Sequence, residues 1–129
     1  MAGADEFVAS IESAPAEYRE ELRRLGEWAL ALEREGLVTL TTYHGKGRLT
    51  LLPRFKDEGV GLVTIWNDRG AYLSLWRSVF ERRAPNSITR IEDIIGKKIG
   101  TGNSTGDLRT EVLDALTNAY REGAAAGSI

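Results

Sequence analysis

At Gly36 the apolar residues of this chain change their period, and that break constrains the fold more than any other feature. Before it, Tyr18, Leu22, Leu25, Ala29 and Leu32 step along one stripe by threes and fours, with Trp28 flanking and charged residues elsewhere. Such spacing predicts an amphipathic helix laid against a core. Pro15 suits its first turn, with Ser13 or Ala14 as cap, and Gly36 stands where a helix accepts a left-handed stop. After it, Leu37 to His44 is β-branched and aromatic, Gly45-Lys46-Gly47 is a tight hairpin, and Arg48 to Phe55 returns as a second strand. A long helix followed directly by a hairpin excludes all-α and all-β classes.

The remaining segments extend this pattern. Phe7, Val8 and Ile11 predict a short first helix ending near Ser13. Pro53 suggests an edge or a bulge in the second strand, because proline has no N–H for the ladder. Lys56 to Gly59 reads as a turn, and Val60 to Trp66, apolar on both parities, as a central strand covered on both faces. Residues 71–83 fit two periods. As a strand, Tyr72, Trp76 and Phe80 share one face; as a helix, Tyr72, Leu75, Trp76, Val79 and Phe80 form a stripe, and the helix is favoured. Ser87 then caps a short helix closed by Gly96, Lys97 to Gly106 is a glycine-rich connection with a short strand at its start, and a last helix runs from Asp107 to Arg121, stopped by Gly123. The expected fold is a single α+β domain over residues 1–129, with a small antiparallel sheet of three or four strands flanked by amino-terminal and carboxy-terminal helices. Residues 1–4 and 124–129 are expected to fray, the final Gly-Ser-Ile resembling an expression remnant.

Cysteine is absent, which removes disulfides and thiolate metal sites, and no window reaches the roughly 18 apolar residues of a membrane span. The start of the chain lacks the basic and then apolar run of a secretory signal, so a cytoplasmic protein without membrane partners is expected. Charge is unevenly distributed. Residues 1–36 carry nine acids against four bases, residues 37–100 eleven bases against six acids, and residues 101–129 two bases against four acids. Within the basic middle, Lys46, Arg48, Arg54, Lys56, Arg77, Arg82 and Arg83 interleave with Tyr43, Phe55, Trp66, Tyr72, Trp76 and Phe80. Cations among aromatic rings are the material of a nucleic-acid surface; equally, they are solvated outer faces around a packed core.

Catalytic signatures are weak. His44 is the only histidine, so no histidine pair or Ser-His-Asp relay can be assembled, and the acids Asp57, Glu58 and Asp68 lie in turns that favour them anyway. No metal site and no cofactor are expected. The run Gly96 to Gly106 offers Lys97, Lys98, Gly102, Ser104 and Thr105 as an anion or phosphate site, since a glycine-rich loop opening a helix exposes unpaired N–H groups. Asp107 stands where the phosphate-binding loop of nucleotide hydrolases requires lysine.

Two stretches resemble known families. Leu32-Glu-Arg-Glu-Gly-Leu-Val38 followed by a glycine hairpin resembles the recognition helix and wing of winged-helix regulators, over residues 25–55. That fold needs two helices before the recognition helix, where this chain offers one short one. With residues 69–84 helical, the order helix, three strands, helix is similar to the core of restriction-type nucleases. Those enzymes hold a metal through acids and a lysine on the second and third strands, whereas Arg48 to Phe55 and Val60 to Trp66 contain no Asp, Glu or Lys. The functional expectation is a non-catalytic protein-interaction or self-assembling domain, using the edge at Pro53 or the stripe from Tyr72 to Phe80. The alternative is a nucleic-acid-binding module built on the basic, aromatic-rich middle, with a nuclease-like fold lacking catalytic residues.

Overall fold

The computed structural model describes residues 2–126, with the backbone alone for residues 101–103. Helices α1 (Asp5–Ile11) and α2 (Ala16–Arg34) precede strands β1 (Val38–Gly45), β2 (Arg48–Phe55), β3 (Val63–Asn67) and β4 (Ala71–Trp76). Helix α3 (Arg77–Arg83), a 3-10 turn at Pro85–Ser87 and α4 (Ile88–Ile95) lead to β5 (Thr101–Thr105) and α5 (Thr110–Ala126). The strands form one sheet in the order β1-β2-β3-β4-β5, antiparallel throughout. The class is α+β, as expected, but with five strands in place of three or four.

Residues 71–83 correct the favoured helix, and the reason is arithmetic. Tyr72, Trp76 and Phe80 are four apart, a step that satisfies both periods, so the stripe could not choose between them. Pairing decides. Ala71 to Leu75 lies opposite Asn67 to Val63 residue for residue, which buries Leu73 and Leu75, and helix begins only at Arg77. A fourth strand therefore stands where the nuclease-like order requires a helix. The glycine-rich run is corrected too: β5 occupies its second half, and α5 starts at Thr110 instead of Asp107. Gly123 lies inside α5. A Cβ there would sit 2.3 Å from Cζ of Phe55, so its glycine admits a ring and ends nothing.

Strand alternation gives the sheet two unlike faces. On one, Val38, Leu40, Leu51, Phe55, Val63, Ile65, Leu73 and Leu75 are buried beneath helices that contribute Phe7, Leu22, Leu25, Leu32, Leu116 and Tyr120. The other face carries Tyr43, Arg48, Leu52, Arg54, Trp66, Tyr72 and Trp76, partly or fully exposed. Both edges are guarded. On β1, Gly3 N–H donates to Leu40 O, Ala2 bridges Thr41, and Leu40 N–H donates to Glu33 Oε2; on β5, Lys97 Nζ donates to Ser104 O. Helix α5 continues through Ala126, and the Gly-Ser-Ile expectation lies outside the described residues.

Pro53 lies on an inner strand, at a local break in the ladder. Strand β2 pairs with β3 only from Leu49 to Leu51, and beyond that the two diverge. Proline is tolerated here because its missing N–H faces the gap. Tyr120 fills the gap from the core side: its hydroxyl donates to Pro53 O at 2.8 Å and accepts from the N–H groups of Leu62 and Val63 at 3.1 and 3.2 Å. Complete burial pushes this hydroxyl well above the usual tyrosine range and keeps it protonated as that donor. Gly61, in the segment before β3, lets that segment pass close to β2, since a Cβ would fall 2.3 Å from Pro53 O. Among the described residues, no helix is long and apolar enough to cross a membrane.

Candidate functional site

The helix-free face is built by strand register. Trp66 on β3 lies opposite Tyr72 on β4, and each strand also supplies a hydroxyl: Thr64 on β3 opposite Ser74 on β4. The Trp66 indole N–H donates to Ser74 Oγ at 2.8 Å, and the Trp76 indole N–H to Thr64 Oγ1 at 2.9 Å. Each indole thus reaches diagonally across to the neighbouring strand and covers the hydroxyl that holds it, which is why Thr64 and Ser74 are buried on a face without helices. The rings are fixed in place with their polar N–H groups already satisfied, leaving aromatic surface as what they present.

Arginines complete the surface. The Arg48 guanidinium lies 5.2 Å from the Trp66 ring centre, and Trp66 stacks with Tyr72 at 5.9 Å with planes 16° apart. Arg54 lies 5.3 Å from the Tyr43 ring, its Nη1 donating to the Tyr43 hydroxyl at 3.5 Å. Cations near aromatic faces are attracted by the ring quadrupole. Asp68, at the turn after β3, accepts from the Tyr72 hydroxyl and lies 4.0 Å from both Arg48 and Arg69. Partial burial and then that hydrogen bond raise the Tyr72 hydroxyl above its ordinary range.

Not all the basic residues anticipated for a nucleic-acid surface meet here. Arg48 and Arg54 lie on the helix-free face and Lys46 at the tip of the β1–β2 hairpin, while Lys56 is exposed in the turn after β2. Arg77 binds Glu92, Glu81 and Ile99 O, tying the start of α3 to α4 and the segment before β5. Its bonds to Glu92 and then Glu81 hold its charge more firmly, and the N–H of Ile99, ahead of Arg77, holds the Glu92 carboxyl below the usual range. Arg82 pairs with Glu58. Arg83 is interior, 7% exposed, and cannot reach a phosphate: it binds Asp57, Glu58 and Gly123 O, with its guanidinium 4.2 Å from the Phe55 ring. Burial opposes the Arg83 charge, but its bonds to Asp57 and Glu58 outweigh that and raise its pKa. In return, Arg83 holds the Asp57 carboxyl low, and Arg82 followed by Arg83 does the same for Glu58.

The anion site anticipated at 97–105 is not assembled at a helix start. Gly102, Ser104 and Thr105 belong to β5, Lys97 is bonded to Ser104 O, Thr105 is buried with its hydroxyl accepting from Asp107 N–H, and Lys98 is exposed. His44 is bonded through Nε2 to Glu6 of α1, a tie between the first helix and β1. Among the described residues, no group of three His, Cys, Asp or Glu side chains could hold a metal ion.

Sequence reasoning missed the hydroxyl pair Thr64 and Ser74 and the role of Tyr120. The signal was available in principle: Thr64 and Ser74 interrupt apolar strands, each two residues from a tryptophan. Comparison with protein-family models, curated proteins and solved structures returns no match.

Proposed function

We propose that this chain is a non-catalytic interaction domain of the cytoplasm that docks a protein partner on the helix-free face of its sheet. The single observation carrying this reading is the convergence of Tyr43, Trp66, Tyr72 and Trp76 with Arg48 and Arg54 on that face. Tryptophan, tyrosine and arginine are the residues that dominate protein-binding hot spots, and rings already fixed lose little freedom on binding. The guarded edges favour docking on the face over strand-to-strand assembly.

The test is peptide display against the folded domain, with a Tyr43→Ser, Trp66→Ser variant as the subtracting bait. Peptides retained by the native chain and released by the variant are expected, the variant keeping its far-ultraviolet spectrum. Peptides held equally by both overturn the reading. Sedimentation at high concentration separates a foreign partner from a second copy of the chain.

A nucleic-acid reading is favoured by the same rings, since bases stack on exposed aromatics beside cations. Engagement of Arg77, Arg82 and Arg83 by carboxylates weakens it. Oligonucleotide retention that falls steeply with salt and is lost in Arg48→Glu, Arg54→Glu would establish it.

A further inference from the structure

The divergence of β2 from β3 that Tyr120 fills from behind adjoins a hollow of about 390 Å³ at the margin of the open face, where α3 begins. Leu52 and Arg54 of β2, Val60 of the turn, Thr64 of β3, Trp76 of β4 and Val79 of α3 are among its lining. Thr64 is buried and its hydroxyl accepts from the Trp76 indole. An open hollow of this size, with apolar walls and polar groups such as Ser78 and Arg54 among its lining, accepts a large side chain.

Charge identifies what accompanies that side chain. The acids nearest in sequence, Asp57 and Glu58, are neutralised by Arg82 and Arg83. Arg54 meets no carboxylate among the described residues, its guanidinium lying by the Tyr43 ring and hydroxyl. The hollow is therefore left with one lining cation, Arg54, that no carboxylate among the described residues balances.

Resting on the interaction-domain reading, we propose that this hollow takes a phenylalanine or leucine side chain from an acidic segment of the partner protein, with a flanking carboxylate on Arg54. With only Nη1 engaged, by the Tyr43 hydroxyl, the Arg54 guanidinium keeps N–H groups that can donate as a pair to a carboxylate.

The probe is a fluorescent nine-residue peptide with one central phenylalanine flanked by aspartates, titrated onto the full chain by anisotropy. Companion peptides replace phenylalanine by alanine or the aspartates by lysines. At least about tenfold weaker binding is expected for either companion, for Arg54→Glu, and for Leu52→Lys, which crowds the hollow from a partly exposed position. Arg54→Lys, which keeps the charge but not the paired geometry, is expected to fall between. Melting curves establish that each variant is folded, and Arg54→Glu alone suffices if Leu52→Lys is not. Binding that ignores Arg54→Glu or survives loss of the phenylalanine overturns the proposal. So does displacement of the peptide by a single-stranded oligonucleotide of equal charge at lower concentration, which would make the occupant a polynucleotide. Binding lost in Tyr43→Ser, Trp66→Ser yet indifferent to Leu52→Lys and Arg54→Glu would leave the docking face standing and remove the hollow; no binding of any display-selected peptide would remove both.

Discussion

The two faces of one sheet are made from the same strands and yet solve different problems. The covered face uses Leu40, Leu51, Ile65 and Leu73, aliphatic and wholly buried, whose removal leaves cavities that helices cannot fill. The open face uses tryptophan, tyrosine, arginine and threonine, side chains that satisfy one another and still tolerate water. Stability is concentrated on the first and recognition on the second, so substitutions on the two faces should separate the properties.

The largest effect is expected from Leu51→Ala on the covered face, a loss of about 2 to 5 kcal/mol in denaturant unfolding. Tyr120→Phe follows, at about 2 to 3 kcal/mol, because it leaves two buried N–H groups and a carbonyl without their partner while changing almost no volume. Arg83→Met is expected to cost about 2 kcal/mol near neutral pH through the abandoned Gly123 carbonyl and turn carboxylates. Its pH dependence has a definite sign. Asp57 and Glu58 have lowered native pKa values, so the stability they lend is complete above their unfolded values of about 4 and disappears as acid titrates the native form. The gap between native protein and Arg83→Met should accordingly narrow below about pH 4 in urea melts. The smallest effect belongs to the open face: Tyr43→Ser should change stability by less than about 0.5 kcal/mol while weakening peptide binding. A large stability loss there would dissolve the contrast between the faces.

How much of this was legible in the sequence varies with the range of the interaction. The period break at Gly36, the β1–β2 hairpin, the limits of β2 and the closure of α4 at Gly96 follow from neighbouring residues, and they stand as read. The failures are long-range. Residues 71–83 were ambiguous because a four-residue step fits both periods, and only pairing with β3 resolves them. Gly123 looked like a stop because its true partner, Phe55, lies 68 residues earlier. Pro53 signalled an edge or a bulge, but not that a hydroxyl from Tyr120 occupies the gap beside it. For the candidate site, the aromatic and cationic residue types were legible, but which cations remain available was not. Arg83 and Arg54 are alike in sequence, and only the fold puts one in the interior and the other at the rim of a hollow.

The three tryptophans supply the most direct test, because one of them is an internal control. Trp28 binds Thr117 between α2 and α5, whereas Trp66 and Trp76 lie on the open face. In a nitrogen-15 labelled sample titrated to saturation with the acidic phenylalanine peptide, the indole N–H signals of Trp66 and Trp76 should move while that of Trp28 stays. Movement of Trp28 with the other two still would put the binding surface among the helices and contradict the division between the faces.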